Sequence, residues 1–143
     1  MYVDSRQKQL NIGEIITAFL ENNPQQYPAQ VVLPAILKEL SEPNVQTKQF
    51  GNTVFEVIMG DGDKAFFKAF NADTGPNFVE NSKMFVVWAK RALGLKVLVT
   101  EFDDPAIEQV FRIIATKPPM PGMGYQKFQS PSGKIRIGLN LGN

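Results

Sequence analysis

The sequence predicts a single α+β domain: a mostly antiparallel central sheet of about six strands with helices on both faces, in the order α-α-β-β-β-α-β-α-β-β. Three observations predict it. The chain has 143 residues, 43% of them hydrophobic, enough for one packed core and too few for two ordinary domains. Apolar residues first recur at helical spacing, then give way to short β-rich runs separated by Gly-containing turns. Beyond that, helical and strand patterns alternate, with Gly or Pro at the junctions.

Ile12, Ile15, Ile16, Phe19 and Leu20 carry the first helical stripe, and Asn22-Asn23-Pro24 stops it. A second helix is expected from near Pro28, with Leu33, Ile36, Leu37 and Leu40 as its stripe and Ser41-Glu42-Pro43 as its end. Pro34 within it is expected to kink the helix or delay its start. Val45 to Phe50, the hairpin signal Gly51-Asn52, and Thr53 to Met59 then read as two strands. In the second, Phe55, Val57 and Met59 line one face while Val54 and Ile58 flank Glu56 on the other, so both faces should be covered. Gly60-Asp61-Gly62-Asp63 turns the chain into a Phe-rich strand, Lys64 to Phe70, completing an antiparallel meander.

Asn71 to Asn77 reads as a polar loop containing Gly75 and Pro76. A helix is expected from about Val79 to Leu93, burying Phe85, Trp88, Ala89 and Ala92, with Gly94 as its left-handed C-terminal residue. Leu95 to Phe102 is a strand. Asp104-Pro105 supplies an N-cap followed by proline at the first helical position, and Ile107, Val110, Phe111 and Ile114 form the stripe of the helix it opens. The segment 117–124 is a Pro- and Gly-rich loop. The chain closes on a hairpin, Tyr125 to Gln129 and Lys134 to Leu141, in which Ile135, Ile137, Leu139 and Leu141 alternate with Arg136, Gly138 and Asn140. With no repeat or linker, residues 1–143 form one domain.

Composition removes whole classes of chemistry. Cysteine and histidine are both absent, which excludes disulfides, thiolate and His-metal sites, and Ser-His or Cys-His catalysis. Catalysis is left to carboxylates, Lys, Tyr, Ser/Thr, backbone groups or a substrate's own amine. A formal net charge of +1 gives no global field toward nucleic acid or an anionic membrane. Met1 to Leu10 is polar, without the apolar core of a secretory signal, and no apolar run is long enough to span a bilayer. The expected location is cytoplasmic or virion-internal, with no membrane partner and no metal.

Among ionisable residues, Glu56 stands out, because a carboxylate on a central strand needs a partner or a water-filled cleft. Facing solvent at an edge is its ordinary alternative. Glu101, near the end of its strand, is a second candidate base. Asp61, Asp63 and Asp73 are turn residues whose spacing lacks a calcium-loop pattern. Lys127, Lys134 and Arg136 cluster on the last hairpin, where they suit weak contact with nucleic-acid phosphates. The 117–125 loop carries Met120 and Met123, suited to a protein partner or to packing back on the core.

The element order, from the first helix to the end, resembles the GNAT superfamily of acyl-CoA N-acyltransferases. The most specific stretch is Val97 to Phe128. Val97-Leu98-Val99-Thr100-Glu101-Phe102 supplies the strand, Asp104 stands where the family's helix-opening Asn would, and Val110-Phe111-Arg112-Ile113-Ile114-Ala115 falls where its Leu-Tyr segment would. The resemblance implies acetyl-CoA or another acyl-CoA as cofactor, and a small-molecule or protein amine as acceptor. The pantetheine arm would insert as a pseudo-strand between the splayed strands Lys64–Phe70 and Leu95–Phe102. The diphosphate would rest on the loop Asn71–Asn77 and the helix after it. The implied cofactor-binding residues are Phe70, Asn71, Thr74, Gly75, Asp104 and Phe111, with Glu56 or Glu101 as catalytic base. The departures are specific. Only Gly75 fits the loop pattern, Pro76 removes an amide donor, Asp73 brings negative charge, and Phe111 replaces the tyrosine that protonates a departing thiolate. They leave open a non-catalytic structural or interaction protein on the same scaffold, of the kind found among phage internal virion proteins.

Overall fold

A computed structural model describes residues 9–24, 26–102 and 105–142. Ten elements follow in the expected order: α1 (Ile12–Asn22), α2 (Ala29–Leu40), β1 (Val45–Phe50), β2 (Thr53–Met59), β3 (Lys64–Asn71), α3 (Gly75–Leu93), β4 (Val97–Phe102), α4 (Pro105–Thr116), β5 (Gly124–Gln129) and β6 (Ile135–Asn140). The six strands form one sheet ordered β1-β2-β3-β4-β6-β5. All neighbouring pairs are antiparallel except β3 and β4, which are parallel and joined through α3.

Alternation along β2 divides the interior in two. Phe55 and Val57 face the larger core, which α3 and α4 cover with Phe85, Ala89, Phe111 and Ile114. Phe85 stacks on Phe55 with ring centroids 4.1 Å apart. Val54 faces the other side, where Ile15, Ile16 and Leu20 of α1 close over Phe70. Helices therefore lie on both faces. α1 starts at a capping box, with the Glu14 amide donating to Asn11 Oδ1 at 2.8 Å and the Asn11 amide donating to Glu14 Oε1 at 3.0 Å. α3 ends at Gly94, whose φ of 67° is the left-handed conformation that terminates helices at little cost in glycine.

Several boundaries and faces differ from expectation. α2 passes through Pro34 without a delayed start, and Leu37 is exposed because Val32, Leu33, Ile36 and Leu40 face the sheet instead. α3 begins a full turn earlier than periodicity indicates, since Pro76 fits a helix's first turn, where amides have no intrahelical acceptor. Its buried stripe consequently includes Phe78, Asn81, Ser82 and Val86, while Ala92 is exposed. Met120 packs back into the larger core. The Asp104 N-cap lies outside the described residues.

Candidate functional site

β3 and β4 begin as a parallel pair and then separate. They pair only at Lys64↔Val97, Ala65↔Leu98 and Phe66↔Val99, although β3 continues to Asn71 and β4 to Phe102. This is not fraying, because each strand stays fully paired on its outer side: β3 with β2 as far as Thr53↔Asn71, and β4 with β6 as far as Phe102↔Ile135. The inner edges beyond Phe66 and Val99 are left facing a cavity of about 310 Å³. Phe67, Lys68 and Ala69 of β3, Thr100, Glu101 and Phe102 of β4, Ile107 and Phe111 of α4, and Phe19 of α1 with Asn23 just after it line it. Phe67 and Phe111 meet edge-on at 5.4 Å.

Both strands run the same way, so the gap widens toward their carboxyl ends, where α3 and α4 begin. That is where open parallel sheets hold ligands. The connection into α3 is shorter than the expected loop. Asn71 ends β3, Gly75 to Asn77 are already helical, and only Ala72, Asp73 and Thr74 intervene. The Phe78 amide closes the first turn on the Thr74 carbonyl at 2.8 Å. The Thr74 side chain makes no cap hydrogen bond, and no acidic residue occupies the first turn. A Cβ placed on Gly75 would meet nothing within 4 Å, so the helix start faces open space.

Asp73 does not aim its charge at that space. Its Oδ2 accepts from the Asn52 amide at 2.8 Å and from Asn81 Nδ2 at 2.7 Å, holding it against the β1–β2 turn. Asn71 Oδ1 accepts from the Asp73 amide at 3.0 Å and from Thr53 Oγ1 at 2.8 Å. Asn71 therefore shapes the connection through side-chain bonds. Gly51 completes this knot: its φ is +55°, and a Cβ there would come within 2.7 Å of the Asn81 side chain.

The two candidate bases have different surroundings. Glu101 lines the gap, but its Oε1 accepts from Arg136 Nε at 2.7 Å and is also ion-paired through Arg136 Nη2. Hydrogen bonding to Ser130 and then to Arg136 holds its carboxyl below the usual range. Glu56 is fully buried on β2, opposite Lys68 of β3. Neither of its oxygens meets a donor among the described residues. Burial, followed by the neighbouring Glu39 carboxylate, pushes it up to about 7, against an opposing pull from Lys68. Lys68 Nζ reaches Glu39 Oε2 at 3.2 Å.

Phe111 lines the gap, with only aromatic surface to offer. Phe70 is turned to the other face, where it packs edge-on against Phe19 at 5.3 Å. Two of the hairpin cations are engaged: Lys127 Nζ pairs with Glu108 of α4 at 2.9 Å, and Arg136 pairs with Glu101. Sequence reasoning passed over Phe67, Lys68, Thr100 and Asn81. Only Asn81 carries a local signal, as a polar residue within an apolar helical stripe. No group of potential metal ligands is found among the described residues, and no described helix is long and apolar enough to cross a membrane.

A meander of three strands, a parallel fourth strand that splays from the third, and a closing hairpin inserted beside it define one known architecture. The chain has the GNAT fold. Spermidine N-acetyltransferase SpeG from Vibrio cholerae (an F149A mutant) superposes with a TM-score of 0.59 at 10% identity, over 92% of this chain and 91% of that one. The N-acetyltransferase PseH from Campylobacter jejuni, solved in complex with acetyl coenzyme A, superposes with a TM-score of 0.57 at 12% identity, over 92% of each chain. A third structure, described as a probable acetyltransferase, gives 0.55 at 10% identity, over 94% of this chain and 89% of that one. No protein-family model matches the sequence, and no curated protein matches it. The GNAT likeness is thus one of backbone geometry.

Proposed function

We propose that the chain binds an acyl-coenzyme A in the β3/β4 gap and transfers the acyl group to a small-molecule amine. The observation that carries this reading is the end of β3–β4 pairing at Phe66 and Val99 while both outer ladders continue. Unpaired main-chain groups in a dry interior are costly, and an extended amide-bearing arm satisfies them as an added strand does. The open start of α3 at Gly75, with Thr74 beside it, suits the diphosphate, although Pro76 leaves one amide fewer than an uninterrupted turn.

The bound thioester supplies an activated carbonyl. This chain's part is to hold it, exclude water and manage the acceptor's proton. Glu56 does not line the gap but lies behind Lys68, which does; in this proposal it takes the amine's proton at one remove, through water, because a carboxyl poised near neutrality can both take and return a proton. Glu101, already engaged by Arg136, positions the gap wall. Polyamine acetylation by the similar SpeG structure makes an amine acceptor the natural first choice.

A second reading, acyl-CoA binding without turnover, is favoured by one observation. Phe111 lies at the gap with no proton to give a departing thiolate. Calorimetry with acetyl-CoA, followed by a thiol-release assay with an amine panel that includes spermidine, tests both readings. Binding with release of coenzyme A supports transfer, and binding without release supports the second reading. Absence of binding at millimolar ligand removes both.

A further inference from the structure

Glu56 belongs to a cluster that the gap does not contain. It lies beneath α2, with Glu39 reaching down from α2, Lys68 opposite on β3, and Thr47 opposite on β1. Thr47 Oγ1 is itself buried and without a partner among the described residues. α1 offers this face apolar residues, Ile12, Ile15, Ile16, Phe19 and Leu20, while its acids Glu14 and Glu21 are exposed. Among the described residues, the charged groups facing Glu56 are Glu39 and Lys68. One cation serves two carboxylates, and Lys68 already donates to both oxygens of Glu39, at 3.4 and 3.2 Å.

An ionised Glu56 would be buried without a donor, beside a like charge. A protonated Glu56 is a donor, and Glu39 is the acceptor available to it. The contact matters because α2 is thinly held. The helix has no fully buried residue, and Tyr27, Val31 and Leu37, on or just before it, are exposed.

We propose that Glu39, Glu56 and Lys68 form a pH-sensitive clasp, which fastens α2 to the sheet while Glu56 carries its proton and loosens it when Glu56 ionises. Glu39 is held low first by accepting from Glu56, matching the raised position of Glu56. In the closed state Glu56 titrates near 7, and once α2 lifts it returns toward 4.5. Opening therefore becomes easier as pH rises between those values and levels off above them. α1 packs on α2 and also lines the gap through Phe19, with Asn23 at its end, so release of α2 loosens one wall of that cavity. The clasp requires no acyl-CoA, and its test is independent of that reading.

Hydrogen exchange of the ligand-free protein, corrected for intrinsic rates and read for α2 against α3, measures it. Protection of α2 should fall by up to about two orders of magnitude between roughly pH 5 and 7 and then level off, while α3 does not follow. Glu56→Gln, which can donate to Glu39 at every pH, should abolish the fall. If that variant does not fold, Glu39→Gln should move the fall to lower pH by removing the carboxylate that raises Glu56. Parallel pH profiles for α2 and α3 in the unaltered protein, or a variant that keeps the original profile, would overturn the clasp.

Discussion

Replacing Gly75 by Asp separates the stability of α3 from its proposed use as an anion seat. The position has no positive φ, and an added Cβ meets nothing within 4 Å, so the side chain enters without strain. The first turn has no acid and Thr74 provides no cap, which leaves the positive end of the helix uncompensated. An aspartate there should stabilise the protein by about 0.3–1 kcal/mol through the helix dipole, with a further contribution from removing glycine. The same charge opposes a bound diphosphate. At roughly 5 Å and an effective dielectric between 20 and 80, each pair of unit charges costs about 1–3 kcal/mol, or roughly 5- to 150-fold in affinity. Thermal melts give the first quantity, and calorimetry with acetyl-CoA gives the second. Pantetheine, which lacks the diphosphate, should bind both proteins alike. Unchanged acetyl-CoA affinity in a variant that melts at or above the original temperature would refute the placement of the diphosphate at this helix.

Three further substitutions test other parts of the structure. Ala69→Trp puts a ring among the gap-lining residues and should cost acetyl-CoA binding about 1–3 kcal/mol or more by overpacking; titration together with circular dichroism distinguishes a plugged gap from a disturbed sheet. Phe67→Ala removes a ring buried against Phe85 and Phe111 and should destabilise by about 3–5 kcal/mol, read by denaturant unfolding. Gly51→Ala forces a side chain onto φ +55° and into Asn81; a loss of about 1–3 kcal/mol is expected, and an unchanged melting temperature would show that the turn relaxes freely.

Most of the fold was legible because its signals are local. Period-two alternation placed β2 and its two covered faces, Gly94 marked the end of α3, and Gly51-Asn52 marked the first turn. The start of α3 was misjudged for a physical reason: Pro and Gly read as loop residues, yet both are tolerated in a helix's first turn. The site was less legible. The splay of β3 from β4 depends on where pairing ends between segments about thirty residues apart in sequence, and neither strand's own pattern records it. Asp73 illustrates the same limit. Its side chain is held by hydrogen bonds from Asn52 and Asn81, which lie on other elements, so sequence alone turned it toward a diphosphate when it faces the β1–β2 turn. The burial of Glu56 was one of two readings, and Glu39, the residue that gives that burial its consequence, carries no mark in sequence.

Binding of an acyl-CoA and its turnover would make different demands on this scaffold. Binding an extended acyl-CoA arm draws on main-chain edges and a helix start, which survive sequence change as long as the backbone path is kept. Turnover draws on side chains with suitable proton affinities. At the gap, Glu101 is neutralised by Arg136, Lys68 is held by Glu39, and Phe111 is proton-free. The acid–base group poised near neutrality is Glu56, and it lies under α2 behind Lys68. Any catalysis must therefore rest chiefly on orienting the amine against the thioester, a contribution that persists without a perfectly placed base. On this ground Glu56→Gln should leave acetyl-CoA affinity unchanged while lowering the rate of coenzyme A release, and a loss of affinity instead would mean that Glu56 shapes the gap and has no part in proton transfer.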